Sequence, residues 1–217
     1  RCLSDWSSDV CSSDLADIWY SLQASGLKMS VIAVDANPVA EPYAATGLVM
    51  PPARRFDLLV QAPTAGTYEL ITKKMQTGPQ GDVYPRTTLM TVNVTGAGSV
   101  PVARVPKAFG GEADLADRRV ARRRTFVLSE NKAGTLFYIN GKPFPGTVPM
   151  SATPVTGTVE EWTFINKSGE QHPIHIHVND MQLMRVNGKR QPDESWIDTI
   201  PVPAKTKGVP GSVVVRM

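Results

Sequence analysis

Proline and glycine interrupt the apolar residues of this chain about every ten residues. The sequence has 18 prolines and 17 glycines in 217 residues, and it contains no long apolar segment with the 3.6-residue period of a helix. Short runs such as PPARRFDLLVQAP at 51–63 and GTYELITKK at 66–74 alternate in side-chain character, which is typical of strands with one buried face. This pattern predicts an all-β fold in which hairpins and Greek keys form β-sandwiches.

The strand pattern is lost in the middle of the chain. Residues 95–117 are rich in Gly, Ala and Pro, and the basic run RRVARRR follows them. We therefore predict one domain at 16–97, a linker at 98–124 and a second domain at 125–217. The basic run lacks the interleaved aromatic residues of a nucleic-acid patch, so we interpret it as the solvated end of the linker.

The overall composition excludes some classes of partner. The formal net charge is only +3, and the basic residues are scattered outside the run at 118–124, which gives no indication of a nucleic-acid partner. No apolar run approaches the roughly 18 residues that a membrane span needs. We therefore expect neither nucleic acid nor a membrane span.

The first fifteen residues, RCLSDWSSDVCSSDL, contain both cysteines of the chain, Cys2 and Cys11. They have no strand or helix period, and they lack the basic and apolar regions of a signal peptide. The run resembles the translation of a sequencing-library adapter, and we interpret 1–15 as a non-native scar. A disordered polar terminus and a disulfide that closes a small loop are the alternatives. On our interpretation the protein begins near Ala16 and has no cysteine, which leaves the redox compartment undetermined.

All three histidines of the chain, His172, His175 and His177, lie in the motif HPIHIH. Such a concentration on an apolar strand predicts metal ligands. Alternation along a strand points His175 and His177 the same way, about 7 Å apart. His172 has the opposite parity and precedes Pro173, which favours an extended backbone. The three imidazoles are therefore predicted to diverge and to serve more than one metal centre, which a mononuclear cupin- or hydrolase-type site would not allow.

The motif HPIHIH resembles the HPxHxH motif of the multicopper oxidases, which lies in their third cupredoxin domain. The resemblance covers nearly everything from 16 to 217, although Pro52-Ala53 stands where the family commonly has Pro-Gly. It implies two incomplete cupredoxin-like Greek-key β-sandwich domains. The other segments that carry it are VIAVDANPVAEP, LVMPPARRFDLLV and GTYEL for the middle domain, and VEEWTFIN, MQLMRVNG and WIDTIPVP for the third.

The resemblance also implies a role for each histidine. His172 would bind the type 1 copper, which accepts electrons from a phenolic, tetrapyrrole or metal-ion donor. His175 would bind the type 2 copper and His177 the type 3 pair, where O₂ is reduced to water. Asp198 and Glu170 are candidate carboxylates that orient an imidazole, the alternative being a role in a solvated loop.

The chain departs from the family pattern because several of the family's copper ligands are not in it. The type 1 thiolate, its second histidine and its axial ligand lie in the family in a later HCHxxxHxxxM-like segment, and the first domain supplies further histidines. We therefore expect an inactive interior fragment of a periplasmic or secreted copper oxidase. The rival interpretation is a copper-free cupredoxin-like scaffold protein of the cell envelope, which would give HPIHIH no physical purpose.

Deleting residues 1–15 is expected to change the free energy of unfolding by less than about 1 kcal/mol, because removing an unpacked terminus costs little. Urea denaturation of the full and the truncated chain measures this difference. A Cys2→Ser/Cys11→Ser variant serves as control for the disulfide alternative. A larger loss in the truncated chain would show that the segment packs against the fold.

Overall fold

The computed structural model describes residues 17–96, 107–109, 113–143, 153–191 and 196–217. The segment interpreted as a scar lies outside them, as do residues 98–106 and 110–112 of the segment predicted as a linker. Within the described residues the chain forms 19 strands and no helix, which confirms the prediction of an all-β fold. It follows that the described part holds no helix of the length and apolarity that a membrane crossing requires.

The chain forms two compact units. The first comprises Arg1–Gln76 and Val83–Glu112, and the second comprises Thr77–Asp82 and Ala113–Met217. The strands of the first unit are β1 (Tyr20–Ala24), β2 (Lys28–Val34), β3 (Asn37–Ala45), β4 (Leu48–Met50), β5 (Phe56–Gln61), β6 (Gly66–Thr72), β7 (Met75–Gln76), β8 (Val83–Tyr84) and β9 (Thr87–Val94).

The strands of the second unit continue this numbering. They are β10 (Val120–Glu130), β11 (Phe137–Ile139), β12 (Lys142–Pro143), β13 (Val159–Asn166), β14 (His172–His175), β15 (Met181–Val186), β16 (Lys189–Arg190), β17 (Trp196–Ile197), β18 (Thr199–Val202) and β19 (Gly211–Arg216).

The first unit contains a four-stranded sheet in the order β4-β1-β6-β9 and a three-stranded sheet in the order β3-β2-β5, with β7 and β8 paired separately. All of these pairs are antiparallel. Met29 and Val31 of β2 are buried, as are Ala24 of β1 and Leu48 of β4. The core therefore draws alternate side chains from both sheets, as in a β-sandwich.

The second unit is built on one larger sheet, in which the strand order is β12-β11-β10-β13-β19-β15-β16 and β17 pairs with β15. Strands β10 and β13 are parallel, and β13 and β19 are antiparallel. Strands β14 and β18 form a separate two-stranded sheet. The buried side chains of the three central strands are Phe126, Leu128, Trp162, Phe164, Val213 and Val215. This architecture is a cupredoxin-like β-sandwich, the fold class that the sequence predicts.

The basic run at 118–124 is part of a strand. Strand β10 begins at Val120, and Ala113–Arg124 lies in the second unit, although the sequence assigns these residues to a linker that ends at 124. Two nitrogens of the Arg124 guanidinium donate hydrogen bonds to the carboxylate of Glu160, Nε to Oε2 at 2.5 Å and Nη2 to Oε1 at 2.9 Å. Their side chains are 11% and 4% exposed. The interpretation as a solvated linker end is corrected for Arg124, because its partner lies 36 residues away.

A second carboxylate extends this contact. Glu161 accepts hydrogen bonds from Arg123 at 3.0 Å and from Arg216 at 2.9 Å. Trp162 donates its indole N–H to Glu160 at 2.8 Å. Charged side chains thus join β10, β13 and β19, which are already neighbours in the sheet, and the buried carboxylate of Glu160 is fully hydrogen-bonded, as burial requires.

Ala53 has a positive φ of 67°, a conformation that costs a residue with a Cβ roughly 1–2 kcal/mol. This is the position where the multicopper oxidases commonly have glycine. Ala53→Gly is therefore expected to raise the free energy of unfolding by about 1 kcal/mol, measured by urea denaturation. The matched control is Ala44→Gly, at an exposed position within β3, which should lower it by roughly 0.5–1 kcal/mol. Equal losses in both variants would contradict the strain at Ala53.

Acid is expected to weaken the second unit through Glu160. The hydrogen bond from Arg124 lowers the pKa of Glu160, which outweighs the opposite effect of burial. A lowered folded-state pKa stabilises the fold above the unfolded-state pKa of about 4.3, and this contribution is lost as the pH falls through the folded-state value. Glu160→Gln should therefore lose stability at pH 7 and show a shallower further loss on acidification to about pH 3.

Urea denaturation at several pH values measures this effect. The matched control is Glu69→Gln, which breaks a pair with Arg86 whose side chains are 51% and 58% exposed. Such exposed pairs contribute about 0–1 kcal/mol, so the loss at Glu160 should be several times larger. Parallel pH profiles for Glu160→Gln and the unchanged chain would contradict the assignment.

Candidate metal centre

The histidine motif lies on a short strand and the turn that follows it. Strand β14 pairs with β18, so that His172 is opposite Val202 and His175 is opposite Thr199. The strand ends at His175, and His177 lies two residues beyond it. Ile176 still donates its backbone N–H to the carbonyl of Asp198 at 3.0 Å. The two isoleucines on either side of His175, Ile174 and Ile176, are half-buried.

The structure brings two of the three predicted ligands together. The rings of His175 and His177 are in edge-to-face contact, with centroids 4.4 Å apart and an interplanar angle of 80°. Both residues are exposed. Their positions agree with the expectation that residues two apart on an extended segment project from the same side. Two imidazoles therefore stand side by side at the surface of the second unit.

The Nδ1 atom of His175 is held by the strand opposite. It lies 3.2 Å from Asp198 Oδ1 and 3.0 Å from Thr199 Oγ1. The threonine hydroxyl donates its own proton to Asp198 Oδ1 at 2.8 Å, so both partners of His175 are acceptors. Nδ1 must therefore carry a hydrogen, which leaves the lone pair of Nε2 for a metal. Asp198, one of the two candidate carboxylates of the sequence, thus contacts an imidazole.

His172 has a different set of neighbours. Its Nε2 lies 2.7 Å from Ser168 Oγ, and its ring meets Phe137 edge to face with centroids 5.7 Å apart. Its Nδ1 lies 4.0 Å from Glu170 Oε1. Desolvation lowers the pKa of His172, and the charge of Glu130 opposes that shift in part. The lowered pKa favours the uncharged imidazole, which is the form that binds metals.

Two carboxylates accompany His172. One potential ligand atom from each of Glu130, Glu170 and His172 lies within 4.8 Å of the other two. The sequence points to Glu170, which is two residues from His172, but it gives no signal for Glu130, which lies on β10. Phe137 and Ser168 are likewise contacts that the sequence does not reveal, since nothing in their local pattern sets them apart.

A cavity of about 530 Å³ opens beside His177. Trp162 and Glu160 form part of its wall, and so do Ile176 and Asn179. The indole ring and the carboxylate that anchor β13 to β10 thus also border the space next to the third histidine. His177 therefore faces a partly apolar recess, whereas the Nδ1 of His175 faces the polar end of β18.

The three imidazoles, which have two different sets of neighbours, provide some of the ligands that copper sites need. Imidazole is a ligand that copper favours, and a blue-copper site also needs a thiolate. The hydrogen bonds at His175 leave one nitrogen available, and the lowered pKa of His172 favours its uncharged form. The only two cysteines of the sequence lie in 1–15, outside the described residues. The described residues thus fit the imidazole part of copper sites and supply no thiolate.

The second unit is thus a β-sandwich of cupredoxin-like fold that carries the histidine motif on and just after one strand of a two-stranded ribbon. A family model described as "Multicopper oxidase" matches residues 117–216. This match confirms the resemblance to the multicopper oxidase family that the motif HPIHIH carries.

Comparisons with individual proteins agree. The chain is 29% identical over 173 residues to the rice "Multicopper oxidase LPR1 homolog 1". This alignment covers 76% of this chain and 29% of that protein. It is also 29% identical over 143 residues to a Bacillus subtilis protein named "Laccase", which covers 61% of this chain and 26% of that protein. The chain thus spans less than a third of these relatives.

The fold agrees as well. A Campylobacter jejuni multicopper oxidase superimposes with a TM-score of 0.74 at 21% sequence identity, covering 93% of this chain and 45% of that one. A laccase-like multicopper oxidase from an Ochrobactrum species superimposes with a TM-score of 0.70 at 23% identity, covering 92% of this chain and 46% of that one. These similarities establish the architecture of both units as that of multicopper oxidases.

Proposed function

We propose that this chain contributes copper ligands to an oxidase that couples one-electron oxidation of a reducing substrate to the four-electron reduction of O₂ to water. The observation that carries the proposal is the division of the three histidines. His175 and His177 are in ring contact, whereas His172 is held by Ser168 and Phe137. Divergent imidazoles on one segment are what a protein needs to serve separate copper centres.

The role proposed for each histidine comes from the resemblance to the multicopper oxidases. His172 would hold the type 1 copper, His175 the type 2 copper and His177 one copper of the type 3 pair. Bound copper would supply the electron transfer and the reduction of O₂. The chain's own residues would position the ligands, because Asp198 and Thr199 fix the ring of His175 and Phe137 limits the movement of the ring of His172.

The complete oxidase would need ligands beyond these three. We infer that segments outside this chain supply the type 1 thiolate and the remaining imidazoles, and that the chain alone is inactive. Its partial coverage of its relatives supports this view. Periplasmic or secreted localisation is proposed from the family resemblance.

The proposed donor is a phenolic compound, a tetrapyrrole or a low-valent metal ion. The Campylobacter protein is described as a metallo-oxidase, and the Ochrobactrum protein is described as active towards lignin model compounds. Both resemble this chain at the level of fold, and for that reason the proposal spans metal-ion and aromatic donors.

Copper titration of the purified chain tests the proposal. Cu(II) should bind through imidazole nitrogen, visible as nitrogen coupling in the electron paramagnetic resonance spectrum, and without the intense blue band of a copper–thiolate bond. Asp198→Asn should weaken binding at His175 by about 10–100-fold, because it replaces the charged carboxylate that orients the ring by a neutral amide, which accepts a weaker hydrogen bond. His175→Gln should abolish binding at that position.

The matched control is Asp180→Asn, which removes a carboxylate of the same segment that is not among the described partners of His175. It should leave the affinity unchanged. Equal affinities in the unchanged chain, Asp198→Asn and His175→Gln would contradict the proposal and favour a copper-free scaffold. A blue band that disappears with Cys11→Ser would show that a thiolate from 1–15 takes part.

A further inference from the structure

A buried amide begins a chain of hydrogen bonds that ends at His172. Asn166, at the end of β13, is fully buried, and Ser168 is 3% exposed. The Nδ2 atom of Asn166 donates to the backbone carbonyls of Glu170 at 2.7 Å and Pro203 at 3.1 Å. The backbone N–H of Ser168 donates to Asn166 Oδ1 at 2.9 Å. Because a backbone N–H can only donate, the orientation of the amide is fixed.

The amide in turn fixes the proton of the serine hydroxyl. Ser168 Oγ lies 2.7 Å from Asn166 Oδ1, and an amide oxygen can only accept. The single hydroxyl proton of Ser168 is therefore directed at Asn166. On its other side Ser168 Oγ lies 2.7 Å from His172 Nε2. With its proton already used, the hydroxyl can only accept there, so Nε2 must carry the hydrogen.

We propose that Asn166 and Ser168 are positioning residues that hold neutral His172 in the tautomer protonated on Nε2. The lone pair of the ring then lies on Nδ1, which becomes the nitrogen presented to a metal. Nδ1 is the side of the ring that faces Glu170, 4.0 Å away, and the edge contact with Phe137 restrains rotation of the ring. In a ligand histidine, the hydrogen bond at one nitrogen selects the other nitrogen for the metal.

His175 provides the internal contrast. Its Nδ1 faces the acceptors Asp198 and Thr199, so it carries its hydrogen on Nδ1 and presents Nε2. Two histidines three positions apart thus present different nitrogens, and each tautomer is set by different neighbours. The inference rests on the proposed function only in naming copper as the metal, since the tautomers belong to the metal-free chain.

Nitrogen-15 NMR of the metal-free full chain, labelled only in histidine, tests the inference. The chain has three histidines, so three pairs of ring nitrogens are expected, and His175→Gln and His177→Gln assign them. At a pH where the rings are neutral, His172 should show a pyridine-like Nδ1 and a pyrrole-like Nε2, and His175 should show the reverse. A pyrrole-like Nδ1 at His172 would overturn the inference without any further variant.

Ser168→Ala tests the role of the hydroxyl. It keeps the backbone N–H that binds Asn166, so the unit should remain folded, which the dispersion of the amide spectrum checks. The ratio of the Nε2–H to the Nδ1–H tautomer of His172 should fall about tenfold, the equivalent of one hydrogen bond, while His175 is unchanged. Ser168→Thr restores the hydroxyl and should restore the ratio.

The matched control is Ser212→Ala on β19, where the described contact is a backbone bond to Asn187 at 2.9 Å. It should leave all three rings unchanged. An unaltered ratio in Ser168→Ala would refute the role of Ser168. Because no metal is present, a failure of copper binding with the tautomers as stated would refute the proposed function alone.

Discussion

The buried amide of Asn166 ties the large sheet of the second unit to the ribbon that carries the histidines. Asn166 is the last residue of β13, where it is opposite Leu128 of β10 and Gly211 of β19. Its side chain bonds to the segment that leads into β14 and to the carbonyl of Pro203 just after β18. Every hydrogen-bonding atom of one side chain is therefore engaged, and loss of any partner would leave a buried polar group unsatisfied.

Close backbone approach accompanies this contact. At Gly211 a Cβ atom would lie 1.8 Å from the carbonyl oxygen of Pro203, a distance that only glycine permits. The start of β19 and the end of β18 are thus pressed together at the point where Asn166 binds. This junction fixes both the position and the tautomer of His172, and a metal ligand requires such fixing by the residues around it.

The charged contacts of β10 and β13 serve a second purpose. Glu160 is buried, and its pairing with Arg124 leaves no uncompensated charge. Its neighbour Trp162 packs on Phe126 with ring centroids 4.8 Å apart, and both Glu160 and Trp162 border the cavity beside His177. The same residues that fix the register of the two parallel strands therefore shape the surroundings of the third histidine.

Local pattern in the sequence predicts the strands and the parity of the histidines, because alternation depends only on neighbouring residues. It places His175 with His177 and apart from His172. It fails where a side chain binds a residue that is distant in the sequence. The local pattern predicts a solvated Arg124, because it does not show that Glu160 lies beside it in the fold. The same limit applies to Ser168 and Glu130, whose contacts with His172 arise from packing.

Thr77–Asp82 also joins the second unit, because Gln171 donates its backbone N–H to the carbonyl of Thr77 at 2.8 Å.

A motif such as HPIHIH indicates candidate metal-binding residues, but it does not specify which of their atoms would bind. His172 and His175 are both histidines of this one motif, yet their surroundings differ. His172 meets at Nε2 a hydroxyl that can only accept, whereas His175 meets acceptors at Nδ1. The choice of nitrogen is therefore made by residues outside the motif, Asn166 and Ser168 at and after the end of β13 and Asp198 and Thr199 just before and at the start of β18. Because the two nitrogens of an imidazole point in different directions from the ring, that choice decides the direction in which each proposed centre would lie. One short strand can thus serve two separate sites.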